Sequence, residues 1–128
     1  LQIENSNFLS GYIKIIHSPS DAQLDALYEG ALFTIVPSFY EGWGLPVSES
    51  LARGKACLTS DGGALPEAGQ GLTTCFDPYD LSDGYSKVCN LAFDENALRE
   101  AEDRVRKHFT PISWEQSAKD ILRGASLL

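Results

Sequence analysis

The chain has no methionine, no CxxC pair, no excess of positive charge and no long apolar run. Each absence removes a class of function. No stretch approaches the roughly 20 consecutive apolar residues that a membrane-spanning helix needs. With 10 Lys and Arg against 18 Asp and Glu, the net charge is −8. Nucleic acid and anionic lipid both require a basic surface, so neither is an expected partner of this segment. The 3 cysteines, Cys57, Cys75 and Cys89, are odd in number and widely spaced within apolar sequence. Zinc and dithiol chemistry are therefore poorly supported, and buried free thiols in a reducing compartment are expected. Leu1 to Ser10 carries Glu4, Asn5 and Asn7 where an export signal needs a basic and then an apolar stretch. A chain that starts on Leu and lacks Met is expected to be part of a longer protein.

What is present suits one folded domain. At 128 residues and 43% hydrophobic, the chain has material for a single core, and residues 1–128 are expected to form one domain. Tyr12 to Ile16 reads as a short buried strand, ended by Ser18-Pro19-Ser20. Ser20 with Gln23 makes a capping box, and Leu24, Leu27, Tyr28 and Ala31 recur at helical spacing over Asp21 to Glu29, with Gly30 placed to end the helix. Leu32 to Val36 is a second strand, stopped by Pro37. After a Gly-rich loop, a helix is predicted from Leu45 to Arg53, with Pro46 in its first turn and Gly54 just past its end. Ala56 to Thr59 and Leu72 to Phe76 are further strands, with a turn at Asp61 to Gly63 and a short helical turn at Pro66 to Ala68 between them. Three helices follow, at Leu81 to Phe93, Glu95 to His108 and Ser113 to Leu122, the second capped by Asp94 or Asn96. This order is that of an α/β domain, a Rossmann-like open parallel sheet with flanking helices. Ligands of such sheets sit at the carboxyl ends of the strands, where the loop from Ser38 to Gly44 lies.

That loop carries the chemistry. Gly42 and Gly44 flank Trp43, and glycine lets backbone N–H groups come close to a ligand. The helix that begins beside them turns its free N–H groups and positive dipole end to the same place, an anion site suited to a phosphate or diphosphate. Glu41 in the loop and Glu49 on the helix are unsuited to phosphate but suited to accept hydrogen bonds from sugar hydroxyls on either side of it. Glu49 should point away from Val47 and Leu51, which face the core. Alone, Glu49 would be read as a solvated helix-face carboxylate and Glu41 as a polar loop residue; together beside the glycines they say more.

Glu41 and Glu49 with Gly42, Gly44, Leu45, Ala52 and Gly54 resemble the Glu-x₇-Glu signature of the retaining glycosyltransferase family 4 (glycosyl transferases group 1), whose members have the GT-B fold. Pro37-Ser38, Ser60 to Gly63, Pro66-Glu67, Phe76 to Pro78 and Ser113 to Glu115 follow in the family's order, so the likeness runs from Ile13 to Ile121. The resemblance implies the C-terminal, donor-binding half of a GT-B enzyme, truncated at its N-terminus. It implies that Glu41 contacts the donor sugar near the reacting carbon and is the catalytic candidate. Gly42, Trp43, Gly44, Leu45 and Pro46 would hold the sugar and diphosphate, and Glu49 would bind the ribose. Gly62, Gly63 and Glu67 are secondary candidates, expected farther out, with a tight turn and a helix-start carboxylate as their bland explanation.

No metal site and no cofactor are implied, the donor being a nucleoside-diphosphate sugar. An acceptor-binding domain and phosphate-binding Arg and Lys would come from sequence before Leu1. The resemblance also implies a cytoplasmic enzyme of polysaccharide or glycolipid synthesis, the complete protein peripheral at the inner face of the membrane. This segment is expected to be inactive alone and to make no membrane contact itself. Two departures stand out: Trp43 replaces the usual Phe, and Ala56 stands where Pro is common. The alternative is a non-catalytic module of the same ancestry that binds nucleotide sugars or scaffolds a partner. His17 and His108 have no motif support, and Trp114 is expected to pack the closing helix.

Overall fold

The computed structural model describes residues 11–125; the reading of Leu1 to Ser10 lies outside them. The chain falls into two compact units, one ending at Gly30 and one beginning at Ala31.

In the first unit, helix α1 spans Asp21–Gly30. Its start is the reciprocal capping box expected from the sequence. Gln23 Oε1 accepts from the Ser20 N–H at 2.9 Å, and the Gln23 N–H donates to Ser20 Oγ at 3.4 Å. Tyr28 is its buried residue. The strand expected at Tyr12 to Ile16 is not formed: the segment is irregular, and Tyr12 is exposed. Apolar, β-branched residues give a segment a preference for pairing, but a strand exists only through ladder hydrogen bonds to a neighbour. No such neighbour pairs with it among the described residues.

The second unit is built on a parallel sheet of three strands, β1 (Thr34–Val36), β2 (Cys57–Ser60) and β3 (Thr74–Phe76), in the order β1-β2-β3. Helices α2 (Leu45–Ala52), α3 (Leu65–Ala68), α4 (Leu81–Phe93), α5 (Glu95–His108) and α6 (Trp114–Ala125) follow the strands as a Rossmann-like α/β domain requires. All four residues of β2 are buried, and successive residues Cys57 and Leu58 enter two different cores. Cys57 packs with Val36, Val47, Leu51, Leu65 and Val105, which places α2 and α3 on one face. Leu58 packs with Leu91, Ala101 and Phe76, which places α4 on the other, while α5 serves both cores, Ala101 in this one and Val105 in the first. Full burial on both faces, expected of every strand, holds only for the central one: Ile35 on β1 is 44% exposed.

The ends of the elements follow from local chemistry. Gly54 takes φ +70° just past α2 and donates to the Leu51 carbonyl, a left-handed helix stop. Of the two candidate caps for α5, Asp94 is the one used: its carboxylate accepts from the N–H groups of Asn96 and Ala97. Asp80 caps α4 in the same way, and hydrogen bonds from Ser82 and Asp83 hold its carboxyl below the usual range. Trp114 does not pack the closing helix. It is 91% exposed, and α6 has no buried residue among those described. α6 is amphipathic, but an apolar stripe does not by itself supply a surface to bury against.

The register is what matters for the site. Val36 pairs with Thr59, and Ser60 with Phe76. The loops that leave β1, β2 and β3 therefore rise side by side from one edge of the sheet. Their contact is direct: the rings of Phe39, after β1, and Tyr79, after β3, lie 5.2 Å apart.

Candidate functional site

The loop after β1 is fixed to the loop after β2. Ser60 ends β2 with its side chain fully buried, and its hydroxyl donates to the Ser38 carbonyl. The Ser38 hydroxyl in turn donates to Glu41 Oε1 at 2.7 Å. The Glu41 carbonyl accepts from the Ala64 N–H at 3.1 Å. Gly62 and Gly63 are not remote from Glu41, contrary to expectation. A Cβ on Gly62 would lie 2.1 Å from the Phe39 carbonyl oxygen, and one on Gly63, at φ +59°, would lie 2.6 Å from that of Glu41. The glycine pair lets two loop backbones touch, so its sequence signal reports packing beneath Glu41.

The other two glycines have different reasons. Gly44 is the N-cap of α2, buried at φ +94° and ψ +56°, and a Cβ there would meet Leu65 Cδ2 at 2.7 Å. Gly42 has nothing within 4 Å of its Cβ position. Internal packing explains Gly44 but not Gly42, whose missing side chain leaves open space over the loop backbone. Between them Trp43 is 39% exposed.

Helix α2 begins with no side-chain cap. Pro46 offers no N–H, and the Val47 N–H is already bonded to the Gly44 carbonyl at 3.0 Å. The amides of this end that remain as candidates for the expected anion site are therefore those of Gly44 and Leu45, together with the helix dipole. Farther along, Val47 and Leu51 are buried in the core, as the helical spacing predicts, and Glu49 is half-buried on another side. Ser50, fully buried, bonds Thr34 side chain to side chain at 2.7 Å and ties α2 to β1.

Glu49 opens onto a cavity of about 290 Å³. Trp43, Leu45, Ser48 and Arg53 line it from the loop and α2, Glu67 and Gln70 from α3 and beyond, and Phe109 to Ile112 in part from the far end of the chain. Of the candidate residues, only Trp43, Leu45, Glu49 and Glu67 line the cavity. Gly42, Gly44 and Pro46, between or beside them in the chain, do not, and Glu41, Gly62 and Gly63 meet at the strand ends, also outside the lining. Small-molecule sites run roughly 300–1,000 Å³, so this cavity has room for part of a nucleotide sugar. Sequence reasoning missed Arg53, although its place four residues after Glu49 puts it on the same helix face. It also missed Phe109 and Ile112, which only tertiary packing brings here, and the bonding role of Ser38 and Ser60.

Residues 5–107 match the model of the family described as "Glycosyl transferases group 1". The chain belongs to the group 1 glycosyltransferases. This glycosyltransferase domain is 28% identical to the O-antigen chain mannosyltransferase B of Escherichia coli, over 92% of the chain and 31% of that protein. It is 30% identical to the serotype-specific mannosyltransferase WbdA of Escherichia coli, over 85% of the chain and 13% of the relative. It is 31% identical to the MMP alpha-(1->4)-mannosyltransferase of Mycolicibacterium hassiacum, over 84% of the chain and 28% of the relative. The chain spans less than a third of the length of these curated relatives. No helix among the described residues is long and apolar enough to cross a membrane.

Proposed function

We propose that this domain binds the nucleoside-diphosphate sugar of a retaining glycosyltransferase. In the complete protein the sugar passes to an acceptor hydroxyl with its anomeric configuration kept. The observation that carries the reading is one continuous piece of structure. A strand-end loop holds Glu41 by a 2.7 Å hydrogen bond from Ser38, then runs through Gly42 into the uncapped start of α2, whose Glu49 lines a cavity.

The chemistry follows from charge. As the sugar departs, the diphosphate gathers negative charge. Amide dipoles already oriented at the Gly44–Leu45 helix start stabilise it without waiting for solvent to reorganise. Glu41 accepts hydrogen bonds from the sugar near the reacting carbon, and Glu49, beside the cavity, accepts from the ribose. Gly42 leaves room for the donor to approach the backbone. No metal enters this scheme; phosphate-binding Arg and Lys and a separate acceptor-binding domain complete the site. The mannosyltransferases among the relatives favour a mannosyl donor and a product of the polysaccharide or glycolipid class.

Calorimetric titration of GDP-mannose, UDP-glucose and ADP-glucose into the chain tests the reading. Binding of at least one is expected. Silence from all three at millimolar concentration, with the circular dichroism of a folded α/β domain, overturns it.

A further inference from the structure

We propose that Ser38 and Ser60 are positioning residues, a two-step strut that carries the rigidity of the central strand to the carboxylate of Glu41. The inference rests on the reading of Glu41 as the donor-sugar contact and says how a loop residue is aimed accurately enough for that task.

The strut begins in the most constrained part of the fold. β2 is the middle strand, and Ser60 is its last residue, fully buried. A hydroxyl so placed must find partners, because an unpaired buried polar group is costly. Ser60 Oγ has two: it donates to the Ser38 carbonyl and accepts from the Gly62 N–H at 3.4 Å. That fixes the Ser38 backbone relative to the sheet. The Ser38 hydroxyl then donates to Glu41 Oε1 at 2.7 Å, a bond to a charged acceptor and so among the stronger kinds. One carboxylate oxygen is thereby occupied, and rotation of the carboxylate is restricted. The second oxygen is held in a set direction, where it can accept from a ligand hydroxyl.

The backbone of Glu41 is clamped as well. Ala64 donates to its carbonyl at 3.1 Å, and Gly63 approaches it so closely that a Cβ would lie 2.6 Å from that oxygen. Side chain and main chain of one loop residue are thus both referred to β2 and its following turn. A ligand-binding group held this way loses little freedom when the ligand arrives, which is how preorganisation raises affinity.

The test uses the 128-residue chain, with GDP-mannose against GDP and UDP-glucose against UDP as paired probes in calorimetry. Ser38→Ala should weaken the sugar-bearing probe about two- to tenfold, the order for a side chain that must be immobilised on binding, and leave the free nucleotide unchanged. Ser38→Thr, which keeps the hydroxyl, should restore binding. Ser38→Ala added to Glu41→Ala should bring no further loss, since the strut then has nothing to aim. A merely structural role would lower both probes alike and would persist without Glu41; either result overturns the proposal. If Ser38→Ala does not fold, Ser38→Cys gives the same contrast with a near-isosteric, weaker donor. Failure of the unmodified chain to bind either probe overturns the donor-site reading and this proposal with it. Binding by the unmodified chain with Ser38→Ala unchanged overturns this proposal alone.

Discussion

Gly44 and Leu65 touch so closely that a Cβ on the glycine would lie 2.7 Å from Leu65 Cδ2. The contact joins the start of α2 to the start of α3 at a buried point of one core. It also sits under the proposed anion site, so packing and ligand geometry depend on the same residue. Gly44→Ala has to absorb both the overlap and a left-handed φ of +94°. Backbone strain and overpacking each cost about 1–3 kcal/mol, so a loss of about 2–6 kcal/mol is expected, toward the lower end because Leu65 Cδ2 is a side-chain tip that can shift. Urea denaturation measures it. Adding Leu65→Ala relieves the overlap but not the strain, so the second change should cost less in the Gly44→Ala background than alone. Full additivity of the two would show that they do not meet as described.

Gly42 makes the opposite case. It has open space around it and does not take a positive φ. Gly42→Ala should therefore leave stability unchanged or raise it by about 0.4–1 kcal/mol, through a less free unfolded chain. Binding of a nucleotide sugar should nonetheless weaken, because the new methyl occupies the approach to the backbone. An alanine variant that binds the donor as tightly as the original removes the ligand-based reason for this glycine.

The two carboxylates divide by partner. Glu49 lines the cavity and is proposed to meet the ribose, so Glu49→Ala should weaken free nucleotide and nucleotide sugar alike. Glu41 stands outside that cavity on the strand-end loop, so Glu41→Ala should spare free nucleotide and weaken the sugar-bearing donor. Losing hydrogen bonds to a charged group predicts about tenfold or more in each affected case. Equal behaviour of the two variants toward free nucleotide would mean the roles are misassigned.

Much of this was legible in the sequence, for identifiable reasons. The capping box at Ser20 and Gln23, the cap at Asp94 and the stop at Gly54 are local events, decided by side chains within four residues of the backbone they serve. The burial of Val47 and Leu51 with Glu49 on another side follows from helical spacing alone. The failures are non-local. Tyr12 to Ile16 has the composition of a strand but no ladder among the described residues, and α6 has an apolar stripe with no buried residue there. Gly62 and Gly63 do form the expected turn, but the sequence does not show that its neighbours are the Phe39 and Glu41 backbones more than twenty residues away in the chain. Composition marks which residues have unusual freedom; it does not say what approaches them.

Cys57 provides a pH-dependent test of the core beneath the site. It is 2% exposed on β2, and burial pushes its thiol above the ordinary value of 9.0, against a smaller opposing effect from hydrogen bonding with Thr34 and Ser50. In the folded chain the thiol therefore stays protonated at pH values where the unfolded chain has already ionised it. The unfolded state then binds fewer protons, so stability falls as pH rises. The contribution is complete below pH 9.0 and is lost progressively from there toward the higher folded value. Cys57→Ala should cost about 1 kcal/mol near neutral pH from lost packing, yet its stability should decline less steeply as pH rises above 9.0. Urea midpoints of both proteins across that range make the comparison, with other titrating groups common to both. Parallel curves would mean that the Cys57 thiol titrates alike in the folded and unfolded chains, which a side chain sealed between β2 and α2 should not do.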